Sequence, residues 1–89
     1  MANGLRLLPA YPNPAADEVH LGYELDRTAT NVQIEIYSPT GQILRRFDRG
    51  QLPAGPHVER LASGTLPPGA YSYSIITNEA RLTGRFVIR

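Results

Sequence analysis

The stretch Leu66–Arg89, LPPGAYSYSIITNEARLTGRFVIR, decides the fold. It holds two extended runs, Ala70–Thr77 and Arg81–Arg89, separated by a polar break at Asn78–Glu79. In the first run Tyr71, Tyr73 and Ile75 share one face, and Ser72 and Ser74 the other. In the second, Leu82, Phe86 and Ile88 share a face with Gly84 between them, while Arg81, Thr83, Arg85 and Arg89 point the opposite way. A period of two marks a half-buried strand, because successive side chains leave a strand on opposite faces. The stretch reads as a β-hairpin whose second strand closes the chain. Domain ends fray unless something ties them down. A patterned closing strand is therefore expected to be structural, and to be what a partner reads.

Upstream, the same alternation recurs. Glu18–Leu25 turns Val19, Leu21, Tyr23 and Leu25 inward and His20, Gly22 and Glu24 outward. Asp26–Ala29 reads as a turn. Asn31–Tyr37 sends Val32, Ile34 and Ile36 inward, three β-branched residues suited to the centre of a sheet. Ser38-Pro39-Thr40-Gly41 has proline second and glycine fourth, as a tight turn prefers. Gln42–Arg49 is a strand with a broken pattern, because Ile43 and Phe47 share a face with Arg45 while Leu44 lies opposite; a bulge, or apolar contact on both faces, would produce this. Gln51–Pro56 reads as a loop, His57–Leu61 as a weak strand, and Ala62–Thr65 as the approach to the final hairpin. Near the start, Leu5–Leu8 is a short apolar run, and Tyr11-Pro-Asn-Pro14 is a rigid, non-helical segment, since proline fixes φ and disfavours helix in the residue before it. The sum is about seven short strands with regular turn signals: an all-β, immunoglobulin-like antiparallel β-sandwich. Tyr71, just after the Leu66-Pro-Pro-Gly69 corner, is either a tyrosine corner bonding back to upstream backbone or simply a core aromatic.

Composition narrows the function. Eighty-nine residues make one domain. Hydrophobic residues are 42% and charged residues 19%, which suits a folded globule. All nine basic residues are arginine, and eight acidic residues leave a net charge of +1, too balanced for a nucleic-acid domain. Without cysteine there is no disulfide, thiol catalysis or Cys-ligated zinc. No apolar run approaches the ~20 residues of a membrane span, and no signal peptide opens the chain. Residues 1–4, Met1-Ala2-Asn3-Gly4, look like an expression start or linker remnant, so residues 5–89 form the domain.

Chemistry is sparse. His20 and His57 lie on separate strands, on faces assigned to solvent or an edge, without Ser-His-Asp or Glu-x-x-His spacing. No glycine-rich phosphate loop and no cluster of carboxylates or imidazoles is visible. No catalysis, metal or cofactor is expected. Tyr23, Tyr71 and Tyr73 could make a sugar-stacking platform, but their parity favours burial, leaving Tyr37 as the candidate exposed aromatic. The arginines at 81, 85 and 89 either meet an acidic partner or guard an edge strand against pairing with other chains.

Four motifs occur in order: Tyr11-Pro-Asn-Pro14; Ile36-Tyr37-Ser38-Pro39-Thr40-Gly41; Leu66-x-x-Gly69-x-Tyr71; and Gly84-Arg85-Phe86-Val87-Ile88-Arg89. Together they resemble the C-terminal sorting domain (type A) of type IX secretion cargo, the Por secretion family, from Leu8 to Arg89. The matching positions are Pro12, Asn13 and Pro14, Gly41, Gly69 and Tyr71, and Arg85, Phe86, Val87, Ile88 and Arg89. The family often has lysine where Arg85 and Arg89 stand, which meets a charge requirement but not a lysine-specific contact. The resemblance implies a non-catalytic sandwich fused behind a cargo domain. Such a domain passes through the periplasm of a Gram-negative bacterium, is recognised by the outer-membrane type IX translocon, and is usually removed by a surface sortase. The cargo is then surface-bound or secreted. No nucleic acid or small-molecule substrate is expected, and self-association is open. Translocon recognition is expected at Arg85–Arg89, as a charged face or as an edge for β-augmentation. The alternative is a carbohydrate-binding or spacer module on a surface enzyme. A third reading is a structural subunit of an extracellular assembly.

Overall fold

A computed structural model describes residues 3–64 and 66–89. The expectations for Met1, Ala2 and Thr65 lie outside the described residues. Seven strands form two antiparallel sheets: β1 (Leu5–Leu7), β2 (Glu18–Leu25), β3 (Ala29–Tyr37), β4 (Ile43–Leu52), β5 (Gly55–Ala62), β6 (Gly69–Ile76) and β7 (Arg81–Ile88). One sheet has the order β1-β2-β5, the other β4-β3-β6-β7. The all-β sandwich read from the alternation is the fold observed.

The inward positions of β2 (Val19, Leu21, Tyr23, Leu25) face those of β3 (Val32, Ile34, Ile36), β6 (Tyr71, Tyr73, Ile75) and β7 (Phe86, Ile88), and all are buried. Burying a side chain of this size stabilises the fold by roughly 1.5–3 kcal/mol. This shared interior positions everything described below. The final hairpin keeps a continuous register from Gly69↔Ile88 to Ile76↔Arg81.

Three boundaries differ from the sequence reading. Strand β3 begins at Ala29, which is buried and pairs with Leu52, and not at Asn31. Asn31 takes a φ of 54°, a left-handed conformation that asparagine tolerates better than most residues. The loop expected over 51–56 shrinks to Pro53–Ala54, because Leu52 extends β4 and Gly55–Pro56 extend β5. Pro56 costs β5 no ladder bond where the strand has an open side, since β5 is an edge. The irregularity expected in Gln42–Arg49 exists: the β3–β4 register slips between Ala29 and Val32, Val32 and Gln33, and Ile36 and Tyr37.

The two flanks of the sandwich close differently. On one, Arg49 of β4 makes a two-pronged pair with Glu59 of β5. These strands are edges of different sheets, so the pair ties the layers together. On the other flank the segment between β1 and β2 spans the layers. Tyr11 exchanges backbone bonds with His20 of β2 at 3.1 and 2.7 Å. A few residues on, Ala15 bonds the far end of β7.

Candidate functional site

Strand β7 divides by face. Inward, Phe86 stacks on Tyr71 with ring centroids 5.7 Å apart and tilts against Tyr73 at 6.1 Å. Gly84 also faces in, under the Tyr73 ring: a Cβ there would stand 2.6 Å from the tyrosine hydroxyl. Glycine is needed because the buried ring occupies the space of a side chain. Outward stand Arg85, Val87 and Arg89, all exposed. Of the five residues expected to be read by a translocon, Phe86 and Ile88 therefore serve the core.

The Tyr11–Ala15 segment holds the end of β7. Ala15 N–H donates to the Val87 carbonyl at 2.7 Å, and Arg89 N–H donates to the Ala15 carbonyl at 2.9 Å. The Asn13 side-chain oxygen accepts from Val87 N–H at 2.9 Å. Both Tyr11–Pro12 and Asn13–Pro14 peptides are cis. A motif near the start of the chain thus satisfies backbone groups on the outer edge of the last strand. Sequence reading placed Pro12, Asn13 and Pro14 in a rigid, non-helical segment and missed this contact, because nothing local announces a partner more than seventy residues away.

The other motifs meet at the start of β6, which pairs with this same end of β7. Gly41, with φ of 92°, closes the turn by donating its N–H to the Ser38 carbonyl at 2.9 Å. Gly69 lies against that turn; a Cβ on it would stand 3.3 Å from Pro39 Cγ. The Tyr71 hydroxyl donates to the Pro67 carbonyl at 2.6 Å, a bond back to the preceding corner. Of the two readings left open for Tyr71, the corner is the one observed: its hydroxyl bonds back to Pro67 while its ring lies in the core. Ser38, Pro39, Ala70, Tyr71, Ser72 and Arg85 line a hollow of about 250 Å³ beside it.

On the outer face of the four-stranded sheet, Glu35 gathers a cluster. Its carboxylate accepts from the Tyr37 hydroxyl, from Arg46 at 3.0 and 2.8 Å, and from Arg81 at 3.4 Å. The Tyr37 hydroxyl bond, then the two guanidinium groups, hold the Glu35 carboxyl below its ordinary range against the opposing effect of desolvation. Tyr37 is therefore not the free aromatic the sequence suggested. It is half-buried and bonded, whereas Tyr11, at 54% exposure, is the aromatic that reaches solvent, its ring stacked on His20. The alternation could not show this, since Tyr11 lies outside any patterned strand.

Burial, then the nearby Glu59 carboxylate, push the Tyr23 hydroxyl up to about 12, and burial raises Tyr73. Neither exchanges protons near neutral pH. Tyr23, Tyr71 and Tyr73 are all buried and form no flat platform for a sugar. His57 Nε2 donates to the Pro53 carbonyl at 2.8 Å and its ring stacks on Tyr23. His20 lies 3.6 Å from Glu18 on another part of the sheet. Among the described residues no three His, Cys, Asp or Glu side chains come together to hold a metal.

A family model described as the secretion system C-terminal sorting domain matches residues 9–89. Comparison with curated proteins finds no match.

Proposed function

The chain belongs to the secretion system C-terminal sorting family, and on that premise we propose that it is the address by which the type IX translocon recognises a fused cargo protein. The address is the outward half of β7: Arg85, Val87 and Arg89. The domain folds in the periplasm, is recognised at the outer membrane, and is then removed by a surface sortase, leaving cargo secreted or attached to the surface. It performs no chemistry itself.

One observation carries this reading. The inward half of β7 is committed to the core, while Arg85 and Arg89 on its outward half have no salt bridge among the described residues. A sorting tag must be portable, so a small sandwich that needs no cofactor suits the task. It must also carry a mark that folded neighbours lack. Unneutralised arginines on a strand fixed by the core meet that need. The burial of Tyr23, Tyr71 and Tyr73 counts against the carbohydrate-binding alternative.

The test is a periplasmic fluorescent reporter fused ahead of residues 5–89 in a type IX-competent bacterium and in a strain lacking the translocon. Reporter on the surface or in the medium of the first strain alone supports the proposal. Reporter held in the periplasm of both, with the domain folded, refutes it.

A further inference from the structure

We propose that the hollow between the Ser38–Gly41 turn and strands β6 and β7 is a carboxylate-binding subsite, and that it takes an aspartate or glutamate side chain of the export machinery. The inference rests on the sorting role above and names the chemistry of the partner.

The hollow holds about 250 Å³ and is lined by Ser38, Pro39, Ala70, Tyr71, Ser72 and Arg85. Ser72 stands directly opposite Arg85 on β7 and opposite Tyr37 on β3, so the three share the outer face of the sheet. Further along that face the chain shows how it holds a carboxylate: Glu35 is gripped by the Arg46 and Arg81 guanidinium groups and the Tyr37 hydroxyl. The hollow offers the same donor types, the Arg85 guanidinium and the Ser72 hydroxyl, while the Ser38 hydroxyl is engaged with Gln42 N–H and the Thr40 hydroxyl. Here, however, the chain brings no carboxylate of its own: Arg85 has no salt bridge and the Ser72 hydroxyl no hydrogen bond among the described residues. Arg85 stands four positions beyond Arg81, about 13 Å along a strand, so Glu35 pairs the arginine at one end of the face and does not reach the other. A guanidinium presents two parallel N–H groups that match a carboxylate. The paired backbone of β6 holds Ser72 beside it, and the turn walls the hollow.

The direct test is an NMR titration of the labelled domain with an acetylated tri-glutamate peptide at low salt. The expected result is saturable shifts confined to Ser38, Ala70, Ser72 and the Arg85 side-chain N–H. Arg85→Gln should weaken binding by about tenfold or more, the scale of one charge-assisted pair. Arg85→Lys, which keeps the charge but not the fork, should lose part of that. Arg60→Gln removes another exposed arginine without a salt bridge and should change nothing. Shifts spread evenly over Arg45, Arg60, Arg85 and Arg89, or unaltered binding by Arg85→Gln, would overturn the subsite. Tighter saturation of the same residues by inorganic phosphate or anionic lipid vesicles would overturn its assignment to a protein carboxylate. The titration uses the domain alone. Failed binding beside an exported reporter therefore sinks only the subsite, whereas a reporter trapped in the periplasm sinks the sorting role itself.

Discussion

Tyr71 joins two kinds of interaction that are separable by mutation. Its ring fills the core against Phe86, and its hydroxyl donates to the Pro67 carbonyl. Pro67 is exposed, so water can replace the lost donor at its carbonyl. Tyr71→Phe should therefore cost only about 1 kcal/mol, read as a fall in Tm of roughly 4–8 °C for a domain of this size. Glu35 makes a prediction in pH. Its folded-state carboxyl titrates below the ordinary value, so the stability it adds is full above the unfolded pKa of about 4.3 and is lost as pH falls through the folded one. Thermal melts of the native chain and Glu35→Gln should differ at pH 7 and converge as pH drops below about 4. A gap that persists in acid would mean the cluster does not act through this charge.

At the scale of elements, the contact between the Tyr11–Ala15 segment and β7 separates what sequence shows from what it hides. Alternation exposed β2, β6 and β7 almost to the residue, because each has one face in the core and one in solvent. It misplaced the ends of β3, β4 and β5. There, Asn31 takes a left-handed φ, the β3–β4 register slips, and edge prolines mimic a loop. It could not show that Asn13 and Ala15 bond the last strand, since that depends on topology and not on any local period. The same holds for Glu35, whose parity marked it outward but did not name Arg46 and Arg81 as its partners. The contact with Asn13 should matter locally. Asn13→Ala removes the acceptor of the Val87 amide without touching the core, so hydrogen exchange at Val87 should quicken while Tyr73 and Ile75 amides stay protected. Equal protection of Val87 in both proteins would show that Ala15 alone holds the strand.

For the whole molecule, core and signal share one strand, and this governs which experiment is informative. Removing residues 85–89 would take Phe86 and Ile88 out of the interior, at a cost of several kcal/mol, and lost export would then report only unfolding. The arginines can be changed alone, since both are exposed and without salt bridges among the described residues. The decisive measurement is the surface and medium fraction of a reporter carrying the Arg85→Gln/Arg89→Gln domain, beside the unaltered one, in a type IX-competent bacterium, with thermal melts of both. The unaltered fusion should leave the cell, while the double variant folds with a similar Tm and stays in the periplasm. Export of the folded double variant at the unaltered level would contradict the claim that the outward arginines of β7 are the address.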